Sequence, residues 1–195
     1  MSVLVLAPSL GNAEKKKPFK FERAGPYAIN VDYSKKLAEM IEAGNYRANG
    51  AVSDENFTVY GSGKVELEVE IIHFDKKIET SEVLEELAKH ELTPAYIEHL
   101  LAFGAQHPDK QEKYGMIVAL GAPGAIVIGG EEREYEDDGG GGIKERKKAT
   151  ILIEPIVAYL VGGGNRELDC LGFEGPGLNG WSTDYYFLAM KKNKK

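Results

Sequence analysis

The sequence has one cysteine, Cys170, so an intrachain disulfide is excluded and the fold must rest on its core. A lone thiol fits a reducing compartment, and the expected location is cytoplasmic. Long apolar runs are missing too. The opening decapeptide MSVLVLAPSL falls well short of the roughly 20 apolar residues that span a bilayer. No basic stretch precedes it, as a secretion signal requires, and Pro8 interrupts it, so an edge strand or N-terminal arm is expected there. Metal-ligand spacings are lacking. His73, His90, His99 and His107 stand without a Cys or carboxylate pairing that makes a set. There is no Gly-x-Ser-x-Gly elbow, and Cys170 has no histidine partner in sequence. Gly61-Ser62-Gly63-Lys64 looks like the tail of a phosphate loop. Val65 follows where Ser or Thr is needed, and a strand follows where a helix is needed, so a hairpin turn is the reading. GAPGAIVIGG (121–130) lacks the Gly-x-Gly-x-x-Gly spacing of a dinucleotide site. The expectation is a chain that is not an enzyme, with no catalytic residue, no metal and no cofactor.

Positive charge is also short: 24 basic against 31 acidic residues give a net charge of −7. A surface of that sign does not hold a nucleic-acid backbone broadly. The lysines that do cluster, Lys15, Lys16, Lys17 and Lys20 near the start and Lys191, Lys192, Lys194 and Lys195 at the end, read as solvated tails. EEREYEDDGGGG followed by IKERKK reads as a flexible acidic and glycine-rich hairpin insertion at 131–148.

What is present is an ordinary globular composition, 43% hydrophobic and 28% charged, over 195 residues. YAINVDY (27–33) alternates as a short strand, and Ser34 can cap a helix over 35–43 that stops at a left-handed Gly44. Residues 1–63 are read as an N-terminal arm with this small strand–helix extension, and 64–195 as the main α+β domain. The clearest pattern is Val65, Leu67, Val69 and Ile71 alternating with Glu66, Glu68 and Glu70, a strand with one wet face. Thr80 or Ser81 then caps a helix to His90, with Val83, Leu84 and Leu87 as its buried stripe. Thr93-Pro94 opens a second helix carrying Ile97, Leu100 and Leu101, and Pro108 ends it. MIVAL (116–120) is a buried strand. Strands follow at 125–130, at 150–161 with a break or edge at Pro155, and finally at 185–192. The centre is therefore a strand–helix–helix–strand unit.

That order, carried by ETSEVLEELAKHELTPAYIEHLLAFG (79–104) between two strands, resembles the opening of the C-type lectin-like fold. In that fold a last strand brings the C-terminus back beside the first, a role that YYFLAMKK (185–192) would take. The chain is also similar to a set of uncharacterised microbial proteins whose ends resemble the ligand-binding regions of retroelement-diversified lectin-fold proteins. The matching pieces are Leu92–Ala95, Glu98–Gly104, His107-Pro108, Ala119–Gly121, Trp181 and Phe187–Lys191. Glu154-Pro155-Ile156 and Gly180-Trp181-Ser182 stand where calcium-dependent sugar binders carry other triplets, so calcium-borne sugar binding is not implied. The resemblance implies a protein that binds a protein or small ligand through its C-terminal loops. Asn179, Trp181, Ser182, Asp184 and Tyr185 are the expected contacts, with rigid rings supplying contact area. The alternative is an assembly protein, a homo-oligomer joined through the N-terminal arm and strand edges.

Overall fold

The computed structural model describes residues 19–121, 123–137, 143–162, 166–173, 175–176 and 180–191; for 126–137 and 143–155 it describes the backbone. The elements in chain order are β1 (Phe21–Asp32), α1 (Leu37–Ala43), β2 (Arg47–Ala48), β3 (Lys64–Phe74), α2 (Thr80–Lys89), β4 (Leu92–Pro94), α3 (Ile97–Gln106), α4 (Pro108–Tyr114), β5 (Met116–Val118), β6 (Gly124–Asp137), β7 (Ile143–Leu160), β8 (Glu167–Gly172) and β9 (Tyr185–Lys191). The chain is thus α+β, as its periodicities predict. Among the described residues the strands make one mixed sheet in the order β1-β3-β9-β5-β7-β8-β2, with β4 on β9 and β6 on β7. Most neighbours are antiparallel; β5 with β9 and β2 with β8 are parallel. β1 pairs with β3 from Phe21↔Phe74 to Asp32↔Lys64, so the segment before residue 64 shares its sheet with the segment after it.

The sheet is buried on both faces because neighbouring residues split between two cores. Ile71, Ile117 and Leu188 join Ile29, Leu37, Leu100, Leu101 and Phe103 under α1 and α3. Ile72, Val118, Phe187 and Ala189 join Phe74, Val83 and Leu87 under α2. Side chains alternate across a strand, so this division follows from a period of two. The expected wet face of β3 holds for Glu66 and Glu68 and then closes. Glu70 is buried and takes both Arg23 Nε (2.6 Å) and Nη2 (2.7 Å), and beyond it the same face becomes Ile72 and Phe74 under α2.

Several boundaries differ from expectation, each for a local reason. The helix expected to open at Thr93-Pro94 begins at Ile97, and Leu92–Pro94 is instead β4, paired with β9 at Leu92↔Lys191 and Pro94↔Ala189. A residue before proline is driven to extended backbone, which suits a strand. Pro108 does end α3, and it also occupies the first turn of a separate short helix, α4. Ser34 does not cap α1; its hydroxyl bonds Asp32, and Lys36 is the N-cap residue. The left-handed residue after α1 is Asn45 (φ 52°), not Gly44. The cap residue of α2 is Glu79, and Thr80 lies inside the helix. The acidic segment expected as a hairpin excursion is paired as one in its described part: it continues β6 and pairs rung for rung with the basic start of β7 from Glu131↔Ala149 to Asp137↔Ile143, and 138–142 lie outside the described residues. Pro155 sits where pairing with β8 stops, at Ile156↔Gly172, and among the described residues it pairs only with Ala125 of β6, which leaves it on an edge.

Arg166 locks this frame. Its Nε donates to the Gly44 carbonyl (2.7 Å) and its Nη2 to the Gly104 carbonyl (2.9 Å), while the guanidinium lies 4.8 Å from the centre of the Tyr46 ring. Tyr46 Oη in turn donates to the Leu101 carbonyl (2.9 Å). A Cβ on Gly104 would collide with Tyr46 Oη and with Leu160, so α3 approaches its neighbours at glycine.

Candidate ligand pocket between α1, α3 and β1

The residues expected to form a binding surface do not converge on one. Trp181 is 0% exposed and Tyr185 is 8% exposed. The indole ring packs edge-on against Tyr185 (5.1 Å between centroids) and Phe187 (5.4 Å), and its Nε1 donates to Thr80 Oγ1 at 2.9 Å. Thr80 Oγ1 in turn donates to the Phe173 carbonyl at 2.8 Å, and Trp181 exchanges backbone hydrogen bonds with Ile78. Both rings therefore belong to the core under α2. Ser182 and Asp184 are exposed and bond each other, Ser182 Oγ donating to Asp184 Oδ2 at 3.2 Å. Asn179 lies outside the described residues.

A concave site does exist on the opposite face of the sheet. It is a cavity of about 140 Å³, bounded by Asn30, Val31 and Asp32 of β1, Lys35 beyond it, Met40 and Ala43 of α1, and α3. The α3 wall is Glu98, Leu101, Ala102, Ala105 and Gln106. Those positions are spaced i, i+3, i+4, i+7 and i+8, one stripe of a helix. Alanine at two of the five positions leaves room that larger side chains would fill. Gln106 closes one end by gripping β1: Asn30 N–H donates to its Oε1 (2.9 Å), and its Nε2 donates to the Asn30 carbonyl (2.9 Å) and to the Ala102 carbonyl (3.1 Å).

Glu98 is the chemically distinctive wall residue. It is 0% exposed. Its Oε1 accepts the Tyr60 backbone N–H at 3.2 Å, while its Oε2 is buried with no hydrogen-bond partner. Burial disfavours the charged form, and the carboxyl is pushed up to about 7. Next to it, His99 is 2% exposed and both ring nitrogens are committed. Nδ1 accepts the Tyr96 backbone N–H (3.0 Å), taking the place that Glu39 and Glu82 fill at the starts of α1 and α2. A neutral ring accepting at Nδ1 carries its proton on Nε2, which meets Tyr33 Oη at 2.7 Å. Burial holds this imidazole down to about 4, so it is neutral at ordinary pH. Tyr33 is pushed up, first by burial and then by the Glu98 charge. Tyr60, 52% exposed, stands outside this cluster with its ring 5.6 Å from that of Tyr96.

Sequence reasoning misses Glu98 because its helix reads as scaffold. The available signal is a carboxylate on the same stripe as Leu101, Ala102 and Ala105, where a surface helix would place an apolar residue. Elsewhere, Cys170 is partly buried, and its thiol is pushed up by burial and then by Asp169. Among the described residues no group of three or more His, Cys, Asp or Glu side chains could hold a metal ion, and no helix is long and apolar enough to cross a membrane. Compared with known proteins, the chain matches no family model, no curated protein and no solved structure.

Proposed function

We propose that this chain is a non-enzymatic binding protein that takes a small ligand in the cavity between α1, α3 and β1. The observation that carries the reading is the cavity itself, about 140 Å³, lined by Val31, Met40, Ala43, Leu101, Ala102 and Ala105. Small-molecule sites are concave and mostly apolar, and a ligand gains about 25 cal/mol for each Å² of apolar surface it buries there. Binding is favoured over catalysis because the described wall residues include no nucleophilic Ser, Thr or Cys, the Asp32 carboxylate is engaged by Ser34 and Lys64, and the adjacent His99 has both nitrogens occupied. The scaffold reading is a lectin-like domain, supported by β9 returning to pair antiparallel with β3 from Val69↔Met190 to His73↔Tyr186. On such a domain the C-terminal turn would offer partners Ser182 and Asp184, since both rings face the core. The pocket reading is tested by amide NMR with a panel of small neutral, anionic and cationic compounds. Shifts confined to Leu101, Ala102 and Ala105 are expected, and they should vanish in Ala105→Leu, which fills the cavity. A panel that leaves those amides unmoved overturns the reading.

Assembly through strand edges has one observation in its favour. From Ala125↔Pro155 to Asp137↔Ile143, the strands β6 and β7 pair only with each other among the described residues, as a two-stranded ribbon running past the sheet. An open ribbon offers unpaired backbone to a second chain. Light scattering of the full chain and of a variant with 129–151 replaced by a short turn tests it. A monomer in both cases removes this reading.

A further inference from the structure

The cavity also limits the class of ligand it takes, an inference that rests on the binding reading above. Among the described wall residues, each polar group is engaged, sealed off or in solvent. Gln106 has spent its amide: Oε1 accepts the Asn30 N–H, and Nε2 donates to the carbonyls of Asn30 and Ala102. The same contacts occupy both backbone groups of Asn30, and its side-chain Nδ2 also turns to Gln106 Oε1, at 3.5 Å. Asp32 Oδ1 accepts the Ser34 hydroxyl and N–H, and Oδ2 pairs with Lys64 Nζ at 3.5 Å. Glu98 is 0% exposed, so neither of its oxygens reaches a ligand in the cavity. Lys35 remains, and its side chain is exposed, where water and salt screen its charge.

An ion entering this space would leave its hydration shell and find no inward partner, and an unpaired charge is the costliest group to take out of water. Apolar surface is matched instead. Val31 and Leu101 are buried beneath the cavity, and Met40, Ala43, Ala102 and Ala105 complete its lining. At Ala43, Ala102 and Ala105 the side chain is a single methyl group, and the bulk missing there is the space itself. The volume, about 140 Å³, is close to that of an apolar cavity known to admit benzene, so a ligand of up to about six heavy atoms fits. We propose that the cavity between α1, α3 and β1 takes a small uncharged, hydrocarbon-rich molecule, held by burial against Leu101 and the three alanines, and that it rejects ions of the same size.

The test compares three probes of similar size at pH 7: benzene, 1-butylammonium and butyrate. Amide NMR of the full chain follows Leu101, Ala102 and Ala105 during titration. The expected result is saturable shifts with benzene at roughly millimolar concentration, and a midpoint for either ion at least roughly tenfold higher. Ala105→Leu fills the space and alters no polar group, so it should abolish the benzene shifts. Nuclear Overhauser contacts from bound benzene to the methyl groups of Ala43, Ala102 and Ala105 in the wild type locate the site even if that variant does not fold. Either ion saturating within tenfold of benzene overturns the uncharged class while the pocket reading stands. Benzene shifts that survive in a folded Ala105→Leu, or contacts missing from those methyl groups, overturn the site. No saturable shift with any of the three overturns both the class and the pocket reading.

Discussion

Replacing Glu98 by glutamine should change how stability depends on pH, in a direction fixed by two adjacent buried groups. In the folded chain the Glu98 carboxyl sits at about 7, against an ordinary 4.5. The folded state therefore holds a proton that the unfolded state has lost over that interval, and stability falls as pH rises through it. At 1.36 kcal/mol per tenfold change in proton affinity, the full effect is roughly 3 kcal/mol. His99 works the other way. Its folded value of about 4, against 6.5, means that the unfolded state takes up the proton first, so stability falls as pH drops from 6.5 towards 4, again by roughly 3 kcal/mol. Between pH 4.5 and 6.5 the two slopes oppose, and their sum in the wild type is nearly flat. Glu98→Gln removes one of them. Urea unfolding of both proteins at intervals from about pH 4.5 to about pH 8 gives the difference directly, with every other titrating group cancelling. The variant should gain on the wild type by roughly 3 kcal/mol over that range, and its own profile should fall on the acid side. A difference constant to within about 0.5 kcal/mol would show that Glu98 is not buried as described.

Trp181→Ala should cost about 3–5 kcal/mol in the same urea assay, because the ring is fully buried and anchors Thr80; a loss under about 1 kcal/mol would return the ring to the surface. Arg166→Ala removes two charge-assisted bonds to the carbonyls of Gly44 and Gly104 and should cost about 2 kcal/mol, read as an earlier urea midpoint with an unchanged slope. Gly104→Ala forces a methyl against Tyr46 Oη and Leu160 and should cost about 1–3 kcal/mol by thermal unfolding.

Elements with a strong period are legible in the amino-acid sequence itself. The alternation from Val65 to Ile71 and the stripe Val83, Leu84, Leu87 need only local spacing, and β3 and α2 lie where that spacing puts them. Helix ends are less legible, because a cap is a contest among several side chains. Thr80 has the right hydroxyl for the cap of α2, yet tertiary packing uses it between Trp181 and the Phe173 carbonyl. The same limit applies to the site. Trp181 and Tyr185 among Ser182, Asp184 and Asn179 read equally as a surface or as a core, and only the layer under α2 decides for the core. Glu98 has a sequence signal in its stripe. The burial of its carboxyl depends on Tyr60, 38 residues away, whose N–H meets Oε1, and periodicity cannot bring that residue near it.

The burial of α3 beside the cavity is tested most directly by the titration of the Glu98 carboxyl itself, followed by its side-chain carbon resonance. The midpoint should lie near 7, where burial places it. A midpoint near 4.5, the ordinary value for this side chain, is incompatible with a buried Glu98.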